Sequence, residues 1–425
     1  MNTTSSVIIF RVCILLFVLV LIDLYSFRSI KTAFSGISSE KTRQVINWVY
    51  WSINIAFLCL TIYTLLKFDR HAGPGRGKIA LVMALFVLLY VPKLILVVSL
   101  LLEDVYRLLR AAGVGLGKIS TDRFSAIPYF EGRRKFFSQV GLMLAAIPFV
   151  SILYGVTKGK YNFKVHRVTL KFKDLPQAFD GLTITQLSDI HSGSFDDQEA
   201  VKRGVDLANE QKSDLIFFTG DLVNSLASEM EPWISDFKKL HAPMGIYSIF
   251  GNHDYGDYST WDSAEEKLKN HNRLKEIHKE LGFRLLLNEN TRIEKNGYYL
   301  SLIGLENWGN GSFAKYGDMD KSMAGVPDDA FKILLSHDPS HWDAQTLHYP
   351  KHIHLTLAGH THGMQFGVEI PGVKWSPVQY RYPRWAGLYE ENGKRLYVNR
   401  GFGFIGFPGR VGIWPEVTVI TLQKA

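Results

Sequence analysis

Five short apolar runs in this chain of 425 residues each end in side chains able to bind a metal ion. Leu182–Leu187 leads into Asp189-Ile190-His191, and Leu215–Phe218 into Gly220-Asp221-Leu222-Val223-Asn224. Gly245–Phe250 leads into Gly251-Asn252-His253-Asp254, and Lys332–Leu335 into Ser336-His337-Asp338. The last, Ile353–Leu357, leads into Gly359-His360-Thr361-His362-Gly363. A lone Asp-X-His or strand-end His usually caps a turn or makes a hydrogen bond. Five such clusters in sequence, each after a β-type run, point instead to one shared site. Its donors are imidazole nitrogens mixed with carboxylate and amide oxygens, a set suited to Mn, Fe, Zn, Co or Ni rather than Ca or Mg.

The elements that must position these groups are short strands alternating with helices from Phe163 onward. Asp197–Glu210, Glu231–Leu240 and Trp261–Leu281 read as helices, and Val165–Phe172 alternates like an edge strand. Ligands of α/β sheets collect at the carboxyl ends of the strands, where this chain puts its polar clusters. The glycines beside them let the backbone turn sharply off each strand. The class implied is α/β.

The ordered set Asp189, His191, Asp221, Asn252, His253, His337, His360 and His362 resembles the calcineurin-like metallophosphoesterase family, from about Leu182 to the C-terminus. The resemblance implies a two-sheet αββα sandwich over 163–425 with two metal ions between the loops. Carried over position by position, Asp189, His191 and His362 would hold the first ion. Asn252, His337 and His360 would hold the second, and Asp221 would bridge them. No ligand position of the pattern is missing. Two cations about 3.5–4 Å apart need a shared anionic ligand, which agrees with Asp221 as the bridge. Such a pair clamps phosphate oxygens and turns a bridging water into hydroxide that attacks phosphorus in line with the leaving alcohol.

The leaving oxygen needs a proton or a charge partner, and His253, beside Asn252, is the expected acid. Asp254 is expected to orient the His253 ring and keep it cationic. The glycine-rich stretch Arg400–Arg410 has the composition of a phosphate-cradling loop but lacks the strand–helix context of a nucleotide fingerprint. Arg400 and Arg410 are carried as candidate substrate contacts. His271, His278, His341, His348, His352 and His354 are read as non-ligands. The insertion between Trp308 and Pro327 is read as part of the rim, too short for a large helical lid.

The first 157 residues differ sharply from the rest in their density of Leu, Val, Ile and Phe. Val7–Phe27, Ile46–Leu66, Ile79–Leu102 and Phe137–Val156 are each long enough to span a bilayer, giving a multi-pass membrane region over 1–157. Asp23 is placed near the end of the first span, and no paired ionisable residues are expected at mid-membrane. The loops 28–44, 67–78 and 103–136 carry too even a spread of Lys and Arg to orient the chain. Gly132-Arg133-Arg134-Lys135 before the last span resembles a twin-arginine export signal, which favours a catalytic domain outside the cytoplasm. The net charge of +8 is spent largely beside these spans, so no nucleic-acid partner is expected. Both cysteines, Cys13 and Cys59, lie in the spans, so the soluble part has no disulfide. Oligomeric state is left open.

The reading reached is a membrane-anchored hydrolase of a phosphomonoester, phosphodiester or pyrophosphate bond, acting on an envelope or lipid-linked substrate. One alternative is a cytoplasm-facing pyrophosphatase acting on a nucleotide-activated diacyl sugar. Another, of a different class, is a non-catalytic membrane sensor or scaffold.

Overall fold

The computed structural model describes residues 3–67, 78–120, 132–311 and 313–425. These divide into two compact units, one holding most of four long helices and the other holding residues 78–81 with Tyr154–Ala425. Much of the loop charge between the helices, in 68–77 and 121–131, lies outside the described residues, as does Ser312 of the rim insertion.

The first unit holds α1 (Thr3–Ala33), α2 (Glu40–Leu66) and most of α3 (Lys78–Ser120) and α4 (Arg133–Thr157). All four helices are long and apolar enough to cross a membrane. Their outward side chains, among them Phe17, Trp48, Leu108 and Ile147, are large, apolar and exposed, as contact with lipid tails requires.

One expectation fails here. Helix α1 continues to Ala33, so Asp23 falls in the middle of the apolar span Cys13–Ala33 and is buried. Lys93 of α3 places its Nζ 2.6 Å from Asp23 Oδ1 and also bonds Asn54 of α2. Tyr90 donates to the other Asp23 oxygen at 3.1 Å. An acid–base pair therefore does sit inside the spans. A hydropathy average hides it because its members stand on three helices, with bonded partners 39 to 70 residues apart. Every charge in the cluster has a partner, so it acts as a fastener between helices, one whose breakage would strand a charge in an apolar interior. Arg133 likewise pairs with Glu103 at 3.0 Å within this unit.

The second unit is a two-sheet α/β sandwich. One sheet has the strand order β1 (Lys164–Phe172), β14 (Glu416–Lys424), β2 (Thr183–Leu187), β3 (Leu215–Phe218), β4 (Ile246–Ser248), β5 (Phe283–Leu285). The other runs β12 (Gly387–Glu391), β13 (Lys394–Val398), β9 (Leu355–Ala358), β8 (Lys332–Leu335), β7 (Tyr298–Gly304), β6 (Glu289–Lys295). Strands β2, β3 and β4 are mutually parallel, as are β8 and β9, so their carboxyl ends share an edge in each sheet.

Period-two alternation explains the layers. Leu215 and Phe217 of β3 face the interior between the sheets with Ile184, Leu302, Leu335 and Leu357. Ile216 and Phe218 face the other way, against Val201 and Val205 of α5 (Gln198–Asn209) and Leu274 and Ile277 of α7 (Ala264–Glu280). A strand buried on both faces reads as an unbroken apolar run, as β3 does. The expected helix over Glu231–Leu240 is only the short α6 (Ile234–Phe237). Pro232 opens it as a 3-10 turn.

Three histidines outside the site are buried and neutral. His354 Nδ1 accepts from the Lys332 amide, His341 bonds Ser336 and Gln345, and His278 bonds Ser248. Burial pushes them down to about 3, 4 and 3 respectively. Their folded pKa values lie below the unfolded 6.5, so the stability they contribute is present above that pH and is lost as pH falls towards 3–4. Thermal melts should show a fall between pH 7.5 and 5 on the order of 1–2 kcal/mol per group. A flat profile would show that these rings titrate in the fold as they do in the unfolded chain.

Candidate metal centre

The clusters after β2, β3, β4, β8 and β9 converge. Asp189, His191 and His362 each present one donor atom, and the three atoms lie within 4.8 Å of one another. Asp221, His337 and His360 form a second such group. Asp221 Oδ2 stands 3.1 Å from His337 Nε2 and 3.5 Å from His191 Nε2, so one carboxylate oxygen faces both groups. Asn252 turns its Oδ1 to within 2.9 Å of His360 Nδ1 while its amide nitrogen donates to Tyr258. That second bond fixes which end of the amide looks into the site.

The backbone is bent to achieve this. Asp189, His191, Asp221, His360 and His362 all have φ between 48° and 71°, a left-handed conformation that costs a non-glycine residue on the order of 1 kcal/mol and clusters at functional sites. Glycine is required where the loops touch. A Cβ on Gly251 would lie 2.2 Å from Asp221 Oδ1, and one on Gly359 would lie 2.2 Å from Asp189 Oδ2.

The donors fit a pair of metal ions. Both ring nitrogens of His191 and Nε2 of His362 are buried without a hydrogen-bond partner, a costly condition that coordination relieves. His337 donates Nδ1–H to the Thr219 carbonyl at 2.7 Å, which frees Nε2 as a donor to metal. Burial alone would push Asp221 up, but the His337 and His253 rings hold it well below the usual carboxylate range. Burial pushes His191 well down, which favours the neutral ring that binds metal.

Three expectations are corrected. Asp254 does not reach the His253 ring. It is fully buried and accepts the backbone N–H groups of Asp221, Leu222 and Gly251 at 2.8–2.9 Å, tying the β3 and β4 loops together. The ring of His253 is oriented by the Asn224 carbonyl, 2.7 Å from Nδ1, and burial lowers its pKa rather than keeping it cationic. Arg400 and Arg410 are not free for substrate. Arg400 is clamped between Glu416 and Glu369 at 2.6 and 2.5 Å. Arg410, with no exposed surface, donates to the carbonyls of Arg400 and Gly403 and lies 3.2 Å from His362 Nδ1. The glycine-rich stretch folds back on itself around these two guanidinium groups.

Other contributors carry no motif. Tyr382 lies 2.8 Å from His360 Nε2, Asp338 lies 3.4 Å from the same nitrogen, and Phe313 of the rim packs on the His360 ring. Only the Asp338 cluster had a signal in the sequence, as the residue after His337.

Comparison with known proteins agrees with this geometry. Residues 5–160 match the model described as "Probable Calcineurin-like phosphoesterase, transmembrane domain", and residues 182–364 match "Calcineurin-like phosphoesterase". The chain is 34% identical over 275 residues to the uncharacterized metallophosphoesterase YkuE of Bacillus subtilis, covering 60% of this chain and 84% of that one. It is 28% identical over 286 residues to a transmembrane protein with metallophosphoesterase domain of Danio rerio, covering 65% of this chain and 61% of that one. It is 28% identical over 295 residues to the phosphodiesterase YaeI of Escherichia coli, covering 68% of this chain and 98% of that one. The chain belongs to the calcineurin-like metallophosphoesterases, metal-dependent hydrolases of phosphoric esters, here joined to a membrane region of four candidate spans.

Proposed function

We propose that residues 163–425 hydrolyse a phosphate ester borne at the membrane in which residues 1–157 are anchored. The observation that supports this most is Asp221, one carboxylate facing two groups of buried imidazoles, of which His191 and His362 have ring nitrogens without a hydrogen-bond partner. In this reading Asp189, His191 and His362 hold one ion, Asn252, His337 and His360 the other, and Asp221 both. Ions held there supply Lewis-acid polarisation of the phosphoryl oxygens and an attacking water of lowered pKa. Asn224 fixes Nδ1–H of His253, so Nε2 is the atom left to serve the leaving oxygen. That nitrogen takes up its proton when a substrate anion faces the ring, and gives it or a hydrogen bond to the departing alcohol. A tether raises the concentration of the site at the bilayer surface, which favours a lipid-linked ester over a freely soluble one.

The test uses the full chain, stripped of metal and reloaded with Mn²⁺, on chromogenic phosphomonoesters and phosphodiesters. Hydrolysis should require the metal. His253→Gln should keep two ions per chain and lose about 10²–10⁴-fold in kcat, the usual worth of a positioned acid. Two bound ions with no turnover on soluble or lipid esters would sink the enzyme reading in favour of a binding module. We place the catalytic unit outside the cytoplasm, on the strength of Arg133-Arg134 before the last span. A C-terminal fluorescent fusion that glows only in the cytoplasm would show the reverse.

A further inference from the structure

Between His362 and Tyr382 the chain forms a hairpin that belongs to neither large sheet, β10 (Val368–Ile370) and β11 (Val373–Trp375). Pro371-Gly372, with Gly372 at φ 81°, closes it as a two-residue turn. Directly opposed residues share a face, so Val368 and Trp375 stand with Ile370 and Val373 on one side. Glu369 and Lys374 stand on the other.

The orientation is inverted for a water-soluble protein. Glu369, half-buried, reaches back to bind Arg400 at 2.5 Å, and Lys374, itself still exposed, bonds the Ala386 carbonyl. The apolar face is turned outward, its four side chains 38–59% exposed, with Met364 and Tyr380 exposed beside it. Four side chains fall well short of the roughly 800 Å² per partner of a specific protein interface. Trp375 and Tyr380 flanked by Lys374 and Arg381 have instead the composition of a membrane–water boundary.

The base of the hairpin identifies the occupant. Phe366 pairs with Val411, and the Gly367 amide donates to the Val411 carbonyl at 2.9 Å. The neighbouring Arg410 amide donates to the carbonyl of Gly155, and Trp414 packs edge-on against Tyr154 at 5.7 Å. Tyr154 and Gly155 are the closing turn of α4, the last candidate span, and belong to the same compact unit as the hairpin. The hairpin is thus braced on the last turn of α4, a helix long and apolar enough to cross a membrane.

We propose that the apolar face of β10–β11 inserts into the interfacial zone of that bilayer and holds the mouth of the site, through Met364 and Tyr382, against lipid-borne substrate. Insertion stands apart from the hydrolase reading, whereas presentation of substrate rests on it. The experiment separates them. In the full chain carrying Cys13→Ser and Cys59→Ser, spin labels are placed by Ile370→Cys or by Glu294→Cys, an exposed site on β6. The protein is reconstituted in phosphatidylcholine–phosphatidylglycerol vesicles. The label at 370 should collide more often with oxygen than with a water-soluble nickel chelate, and the label at 294 the reverse. Preference for the chelate at 370 would overturn insertion, as would dipolar coupling between copies, which would make a second chain the occupant. With Ile370→Asp and Val373→Asp together, hydrolysis of hexadecyl p-nitrophenyl phosphate in vesicles should fall about tenfold relative to the methyl ester in solution. An unchanged ratio would overturn the presentation role. The collision measurement needs no turnover, so an inactive protein leaves it decisive.

Discussion

Replacing Asp221 with Asn is expected to abolish hydrolysis and to reduce bound metal from two ions per chain to one or none. The carboxylate is buried between the two donor groups, with one oxygen 3.1 Å from His337 Nε2 and 3.5 Å from His191 Nε2. Its other oxygen accepts the His253 amide at 2.9 Å. Asparagine has the same shape and can keep that backbone bond through its carbonyl oxygen. What it loses is the negative charge that offsets repulsion between two cations. The loss in turnover should therefore exceed the roughly 10–100-fold typical of an outer-shell partner, while thermal stability of the metal-free protein changes little. Metal content by elemental analysis, read beside turnover, checks both. Two ions per chain with full activity would remove Asp221 from the centre.

The second large effect is structural and follows from the corrected role of Asp254. Its buried carboxylate accepts three backbone N–H groups from two loops. Asp254→Ala leaves all three donors buried and unpaired. At about 1–3 kcal/mol per orphaned group, the cost is roughly 3–9 kcal/mol, a large part of the stability of a typical domain. Calorimetry should show a clear drop in Tm of the catalytic unit together with weakened metal retention, since Asp221 rides on the loop that Asp254 holds. A support for the His253 ring would behave differently, with an unchanged Tm and slower turnover. That result would return Asp254 to the role its place after His253 first suggested.

What could be read from the chain alone follows from periodicity and local chemistry. Strands β2, β3, β8 and β9 are apolar runs ending in Asp, His or Asn, and a strand exit is where such side chains gather in an α/β sheet. The four spans are legible because lipid contact demands apolar residues around the whole helix. Neither signal requires knowing what is adjacent in space.

The remainder depends on contacts between residues distant in sequence. Asp254 and His253 are neighbours in the chain, yet their side chains diverge, and the oriented group on His253 is a backbone carbonyl that no residue type encodes. Arg400 and Arg410 look like phosphate binders until Glu416, Glu369 and a ring of carbonyls close around them. Asp23 and Lys93 are isolated charges in two hydropathy runs, paired only once α1 and α3 pack. Alternation along Val368–Trp375 marks a two-faced hairpin, but which face is outside was decided by Arg400 capturing Glu369. Residue types and spacing along the chain mark the candidate donor set and the candidate membrane segments, because each is a local pattern. Tertiary structure alone decided which charges are neutralised and which faces are left bare, because burial and pairing are properties of neighbours in space.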